Sequence, residues 1–297
     1  MSGTSNAIKP KNKFFMLVKN DFLASSRLIS LCYVALAGAM LVSIIAQKLL
    51  SGGSLSGEAL QKAANVMGVA MILTLVGALV LIIATVFFVV YDFFKSLYSP
   101  QGYLSFTLPV SSNQLLGSKI LVYGGWLILS FVALFAIYFY WGNFAMQEYG
   151  EEISFVETLA NSFGFEFSVV QLITLLIIFA IKLAIYLISG VFIIYFAITI
   201  SHVGKLQKYS IVLSVVLFFV AFSVCSAIVN KSSDIINICV VFIPETKAVA
   251  FDILKKGEAF REGLIASSIT DAITWILLDV GIFFGTSYIM HKKVNIK

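Results

Sequence analysis

Six long stretches of apolar residues divide the chain, and the shorter stretches between them carry most of its polar side chains. Each apolar stretch holds at least the ~20 residues that a helix needs to cross the hydrocarbon of a bilayer. We therefore predict six transmembrane helices, over residues 28–49, 66–91, 120–141, 169–200, 208–229 and 271–290. The fourth stretch is longer than a bilayer requires, so it must tilt, protrude, or break near Ser189 and Gly190.

Residues 8–27, before the first span, show a different pattern. Their apolar side chains recur at a spacing that places Phe14, Phe15, Val18 and Phe22 on one face of a helix. This pattern predicts an N-terminal helix that lies in the membrane interface, with its aromatic side chains among the lipid headgroups. The alternative is a frayed basic tail.

Composition supports a protein whose solvent is lipid. Of its 297 residues, 60% are hydrophobic and only 12% are charged, whereas an average soluble domain has about 25% charged residues. The formal net charge is +5, but the lysines gather at the chain ends and at internal turns, as they do in membrane proteins. We therefore expect an all-α membrane protein with one transmembrane domain over residues 1–297. Its partner is the lipid bilayer, and nucleic acid is not expected.

The short connections predict the orientation of the chain. Basic residues occur before the first span, in the 2–3 connection (residues 92–119, with Lys95 and Lys119) and in the 4–5 connection (Lys205 and Lys208). Residues 142–168, between spans three and four, contain no Lys or Arg. Because basic residues accumulate on the cytoplasmic side of membrane proteins, we expect both termini in the cytoplasm.

The 5–6 connection, residues 230–270, departs from this rule. It is external by parity and yet carries Lys231, Lys247, Lys255, Lys256 and Arg261. Long connections follow the charge rule poorly, so the orientation stands. Residues 236–244 are apolar but too few to span, and we expect them to re-enter the outer edge of the membrane or to pack on the bundle. Residues 246–265 then form an amphipathic external helix.

Two charged residues fall within predicted spans, Lys182 in the fourth and Asp279 in the sixth. A lone charge near the middle of a bilayer costs about 2.5–3.5 kcal/mol on insertion scales. If the fourth span protrudes outward, both residues lie at a similar depth, and we predict a charge pair across the helix interface. The alternative is that each side chain faces water or extends to the interface.

Patterns of catalytic and cofactor-binding residues are absent from the sequence. It contains no HExxH, CxxC or GxSxG motif, and no GxxxxGK[ST] loop to hold a nucleotide phosphate. The two histidines, His202 and His291, lie beside predicted span ends, and we assign them no metal or acid–base role. We expect no catalytic, metal or cofactor site in this chain, so a nucleotide that powers transport has to bind to another polypeptide.

The 2–3 connection is aromatic and barely charged. Two prolines, Pro100 and Pro109, interrupt its helical pattern, and Ser111 or Ser112 can cap the helix that follows. Exposed apolar residues on a short cytoplasmic connection suggest a docking surface for a protein partner. The alternative is an interfacial helix that buries these aromatic side chains among lipid headgroups.

The connection also resembles a segment of known proteins. The run from Phe94 to Leu121 is similar to a segment of the type-2 ABC exporter permeases of Gram-positive bacteria, through Tyr98-Ser99, Gly102-Tyr103-Leu104, Phe106-Thr107-Leu108-Pro109, Gln114-Leu115 and Ser118-Lys119. The resemblance implies six spans, an N-terminal interfacial helix, short re-entrant elements in the 5–6 connection, and a coupling helix between spans two and three. That coupling helix docks on a separate ATPase subunit. The tip of the connection reads Ser-Pro-Gln where acidic residues are common in the family, so the polar details of docking differ.

Several functional expectations follow from the resemblance. It assigns the contact with the ATPase subunit to Tyr103, Leu104, Phe106, Leu108 and Pro109. It further implies a permease in the plasma membrane of a bacterium, working as a dimer with a second copy or a related permease, while ATP and Mg²⁺ bind to the partner subunit. The cargo would be a peptide, a lipid or an amphipathic small molecule. The alternative is a membrane-embedded interaction or sensory module without transport activity.

Overall fold

Six helices and three strands make up the described part of the computed structural model, which comprises residues 13–51, 57–98, 111–148, 158, 169–203, 209–243, 248–254 and 265–292. The helices are α1 (Lys13–Ser51), α2 (Glu58–Tyr98), α3 (Ser112–Glu148), α4 (Val169–Ser201), α5 (Ser210–Ile235) and α6 (Ile269–Lys292). Between α5 and α6 the chain forms β1 (Ile238–Ile243), β2 (Ala248–Ile253) and β3 (Ile265–Ser268).

All six of these helices are long and apolar enough to cross a membrane, which confirms the predicted number of spans. The first three are much longer than their predicted spans, with 39, 41 and 37 residues. At a rise of about 1.5 Å per residue they extend for roughly 55–62 Å, whereas the hydrocarbon core is about 30 Å thick. They therefore reach well beyond the lipid tails.

The start of α1 corrects the predicted N-terminal interfacial helix. Residues 13–27 are the first four turns of α1, and the helix continues through residue 28 without interruption. The hydroxyls of Ser25 and Ser26 donate to the carbonyls of Asp21, Phe22 and Leu23 within the helix, and no glycine or proline lies there to end it. Residues 8–12 lie outside the described residues.

Helix α4 is also continuous. It runs through Ser189 and Gly190 without a break, so of the three alternatives for this long span the break is wrong. A glycine inside a helix costs only about 1 kcal/mol relative to alanine. The neighbouring Ser189 bonds to α6 through its hydroxyl, and this contact helps to hold the helix in place.

Side-chain contacts show that neighbouring helices alternate in direction. Helices α2 and α3 are antiparallel, because Thr85 Oγ1 lies 3.0 Å from Ser130 Oγ while Trp141 Nε1 donates to Thr74 Oγ1 at 2.9 Å. Later residues of one helix thus meet earlier residues of the other. The alternation is what six membrane crossings in succession require.

The two ends of the bundle can be named from these contacts. At the basal end, the starts of α1 and α3 meet the ends of α2, α4 and α6, as the contact between Asn113 and Ser287 illustrates for α3 and α6. Lys13 and Lys292 therefore lie at the same end. The opposite end carries the β-strands, and we call it the sheet end.

The strands form an antiparallel sheet in the order β2-β1-β3. In the central strand, Cys239 is paired with Asp252 on one side and with Ser268 on the other, and Cys239, Val241 and Leu254 form a small buried cluster. The predicted external helix over residues 246–265 is wrong over 248–253, which form strand β2. Residues 238–243 form strand β1, for which their β-branched and aromatic side chains are suited. The strand contacts the start of α6, where the amide of Ile238 donates to Thr270 Oγ1, in agreement with the alternative that this segment packs on the bundle.

Candidate functional site

The predicted contact residues for the ATPase subunit, Tyr103, Leu104, Phe106, Leu108 and Pro109, lie outside the described residues. The two stems that carry this segment are described: α2 up to Tyr98, and α3 from its cap at Ser111. Both stems end at the basal end of the bundle. Their contacts therefore determine how the 2–3 connection is attached to the helices.

A capping box fixes the start of the second stem. The amide of Gln114 donates to Ser111 Oγ at 3.3 Å, while the amide of Ser111 donates to Gln114 Oε1, also at 3.3 Å. Such a reciprocal arrangement satisfies two backbone N–H groups at a helix start. It confirms the predicted serine cap and identifies Ser111 as the capping residue. Ser118 and Lys119 follow about two turns later, on the part of α3 that packs against α1 and α2.

A buried ion cluster joins the two stems and also binds α1. Lys119 Nζ lies 2.8 Å from Asp92 Oδ2 of α2 and 3.3 Å from Asp21 Oδ1 of α1. The hydroxyl of Ser118 donates to Asp21 Oδ2 at 2.7 Å. Lys119 is only 2% exposed, so its charge is compensated by the two carboxylates. We call Asp21, Asp92, Ser118 and Lys119 the basal ion cluster.

The first stem is also attached to α4. Tyr98 OH donates to Thr199 Oγ1 at 2.9 Å, and the Tyr98 ring stacks on the His202 ring with the centroids 4.2 Å apart. One turn earlier, Phe94 meets the same imidazole edge to face. The last turn of α2 is therefore held against the end of α4 by one hydrogen bond and two aromatic contacts.

The protonation of His202 follows from its surroundings. Its Nδ1 lies 2.7 Å from the carbonyl oxygen of Ile198, and because a carbonyl only accepts, Nδ1 carries the hydrogen and donates. Burial lowers the pKa of His202 below its ordinary value of 6.5, with the hydrogen bond to Ile198 opposing this effect in part. The ring is therefore neutral at pH 7 and packs as an aromatic side chain.

The structure does not bring Lys182 and Asp279 together. Lys182 Nζ donates to Ser267 Oγ of β3 at 3.3 Å, and Asp279 Oδ2 accepts from Ser189 Oγ of α4 at 2.7 Å. Ser189 follows Lys182 by about two helical turns, so Asp279 lies nearer the middle of the bundle than Lys182. Among the described residues, neither side chain takes part in an ion pair.

The basal ion cluster links helices to one another through ion pairs and a hydrogen bond. Its carboxylates are occupied by Lys119 and Ser118, and it joins the three consecutive helices α1, α2 and α3. In the described ranges of the chain, no group of three or more His, Cys, Asp or Glu side chains is placed to hold a metal ion.

The basal ion cluster is not among the sites predicted from the sequence, in which Lys119 is one of several basic residues of a connection and neither Asp21 nor Asp92 has an assigned role. A signal was nevertheless present, because Asp21 and Asp92 are the only acidic residues in the segments predicted to be cytoplasmic. An isolated carboxylate at the end of an apolar span, with a lysine at the end of another span, indicates a pair.

Comparison of the chain with protein-family models, with curated proteins and with solved structures found no match.

Proposed function

We propose that this protein is the membrane-spanning permease subunit of an ATP-driven ABC exporter. It forms the translocation pathway as a dimer, with a second copy or a related permease, and it is coupled to a separate ATPase subunit that binds ATP and Mg²⁺. Six helices of membrane-crossing length support the proposal, as does the resemblance of the 2–3 connection. The membrane is the plasma membrane of a bacterium, and the basal end faces the cytoplasm.

The attachment of the 2–3 connection is the observation that carries the proposal. One stem is bound to α4 through Tyr98, and the other is bound to α1 through Lys119, which also holds the first stem through Asp92. A force on residues 99–110 would therefore move four helices together instead of bending one loop. A motor subunit that pushes on a membrane pathway needs an attachment of this kind, because closely packed helices transmit displacement.

The apolar outer faces of the helices support an apolar or amphipathic cargo. The exposed side chains of the spans are mostly apolar, with Ile72, Leu79, Ile83 and Phe87 as examples on α2. A pathway between two such chains suits a peptide, a lipid or an amphipathic small molecule better than an inorganic ion, which needs rings of polar ligands.

Phe106→Asp tests the contact with the motor subunit. An aromatic side chain that fills a pocket of the partner is a frequent anchor of an interface, and a carboxylate there would be left desolvated. We expect the variant to insert into the membrane normally and to lose the ATPase subunit during co-purification. Phe251→Asp on β2, at the sheet end, is the control and retains the partner. Undiminished recovery of the ATPase subunit with Phe106→Asp would contradict the assignment.

Reconstitution separates the permease from the alternative of an interaction or sensory module. The chain and its ATPase subunit are placed together in proteoliposomes that contain candidate amphipathic cargo. Cargo movement that requires ATP hydrolysis supports the permease. A complex that assembles and hydrolyses ATP without moving any cargo favours the sensory module.

A further inference from the structure

A cavity of about 300 Å³ lies between α4 and α6. This volume is at the lower end of the range of small-molecule pockets. Its walls are apolar, with Ile188 and Phe192 on α4 facing Ile276 and Phe283 on α6. Val280, at its rim, is about half exposed, so the cavity can be reached from the outer surface of the bundle.

One ionisable side chain, Asp279, stands among these apolar residues. It is only 7% exposed and lies near the middle of α6. Its Oδ2 accepts the hydrogen bond from Ser189, whereas its Oδ1 is buried and has no hydrogen-bond partner within the described parts of the chain. Lys182, the cation expected to neutralise it, donates to Ser267 instead.

An unsatisfied carboxylate oxygen in an apolar wall is costly. Burial of a polar atom without a hydrogen bond is unfavourable, and more so when the group is charged. A ligand with a positive charge and an N–H donor would remove this cost, because charge-assisted hydrogen bonds are the strongest of the protein hydrogen bonds. The apolar walls would at the same time bury the hydrocarbon part of such a ligand.

We propose that the cavity between α4 and α6 binds an amphipathic primary amine, with the ammonium group at Asp279 and the hydrocarbon chain between Ile188, Phe192, Ile276 and Phe283. The carboxylate supplies charge and a hydrogen-bond acceptor, and Ser189 holds it in place. The inference goes beyond the permease function and does not depend on it, because it concerns binding to this chain alone.

Photolabelling tests the site. The full-length protein is placed in phosphatidylcholine nanodiscs and exposed to dodecylamine that carries a diazirine at its tail, and the labelled residues are identified by mass spectrometry. Dodecanol and dodecyltrimethylammonium with the same diazirine are the matched probes, since the first lacks the charge and the second lacks the N–H donor. We expect saturable labelling of α4 and α6 by the amine, with at least tenfold weaker labelling by the other two.

The protein variants isolate the carboxylate. Asp279→Asn keeps the size of the side chain and an oxygen that can accept from Ser189, and we expect it to weaken amine binding by about tenfold to a hundredfold. Asp252→Asn, at an exposed position of β2, is the control and leaves binding unchanged.

Two results would overturn the proposal. The first is labelling of α4 and α6 that is equal for the amine and for the alcohol. This comparison uses only the unmodified protein, so it remains valid even if a variant misfolds. The second is binding by a folded Asp279→Asn variant that equals that of the unmodified chain.

An alkylammonium group can belong to a soluble amphiphile or to the ethanolamine headgroup of a lipid. Nanodiscs in which phosphatidylethanolamine replaces part of the phosphatidylcholine distinguish the two sources. If phosphatidylethanolamine reduces the labelling by dodecylamine, the site binds a lipid amine. If it does not reduce the labelling, the site binds a soluble amphiphile. Both outcomes retain the amine specificity. The depth of Asp279 along α6 favours the soluble amphiphile, because headgroups lie at the membrane surface.

Discussion

Lys119 is a buried cation whose two partners lie on different helices. Replacement of a complete buried ion pair by apolar residues is often close to neutral, because desolvation offsets the attraction between the charges. Loss of one partner is different, since it leaves the other charge buried without compensation. The basal ion cluster therefore stabilises the bundle as a complete unit, and each of its members depends on the others.

Lys119→Ala is expected to lower the free energy of unfolding by about 3 kcal/mol, the lower end of the range for a broken buried pair. The lower end applies because Asp21 and Asp92 keep some contact with water. Chemical or thermal unfolding of the detergent-solubilised protein measures the change.

The control for this prediction is Lys62→Ala. Lys62 pairs with Glu58 at 2.7 Å on the exposed surface of α2, and exposed pairs contribute at most about 1 kcal/mol. If the two variants unfold at the same denaturant concentration, the basal ion cluster does not stabilise the bundle.

At the scale of single residues, the sequence reveals charges but not their partners. In the sequence, Asp279 is an unusual charge within a span, and Lys182 is the charge of opposite sign predicted to lie at a similar depth. The register of α4 against α6 determines which side chain of α4 contacts Asp279, and it places Ser189 there. Register depends on which side chains pack between two helices, and apolar residues of similar size fit several registers in a sequence read alone.

At the scale of elements, the apolar stretches predict where helices lie but not where they end. Polar flanks continue a helix as long as its backbone hydrogen bonds are made, so α1 begins 15 residues before its predicted span. The strands could not be identified from periodicity, because a run of six apolar residues such as 238–243 fits a strand or a buried turn of helix equally well. Residues 238–243 form a strand and not a helix because they pair with β2 and β3, which lie later in the chain.

The continuity of α1 can be measured as a distance. Spin labels are attached to Phe15→Cys and Ile45→Cys, two exposed positions, after the three native cysteines have been replaced by alanine. One continuous helix separates the two positions by about 45 Å, from a rise of 1.5 Å over 30 residues. A separate helix that turns along the membrane surface near residue 28 would shorten the distance to roughly 30 Å.

Electron paramagnetic resonance distance measurements in nanodiscs distinguish these values. A matched pair within the predicted span, Leu31→Cys and Ile45→Cys, is the control, and its distance is about 21 Å under both descriptions. A short distance for the first pair together with the expected one for the control would contradict a continuous α1.

At the scale of the whole molecule, the two ends of the bundle differ in charge and in architecture. The basal end carries Lys13, Lys19, Lys95 and Lys292 beside the basal ion cluster. The sheet end carries the three strands and charges of both signs, with Lys48, Lys62 and Lys231 as well as Glu58, Asp234 and Asp252. Because basic flanks remain on the cytoplasmic side, the basal end should face the cytoplasm and the sheet should face outward. The same orientation would present the 2–3 connection to an ATPase subunit.

Labelling of intact cells with a membrane-impermeant maleimide determines this orientation. In a background without native cysteines, Asp252→Cys on the exposed surface of β2 should react in intact cells, whereas Lys292→Cys at the end of α6 should react only after the membrane has been permeabilised. Reaction of both variants after permeabilisation is the control for accessibility. The opposite pattern in intact cells would place the basal end outside, where no cytoplasmic ATPase could reach the 2–3 connection, and would contradict both the orientation and the proposed exporter function.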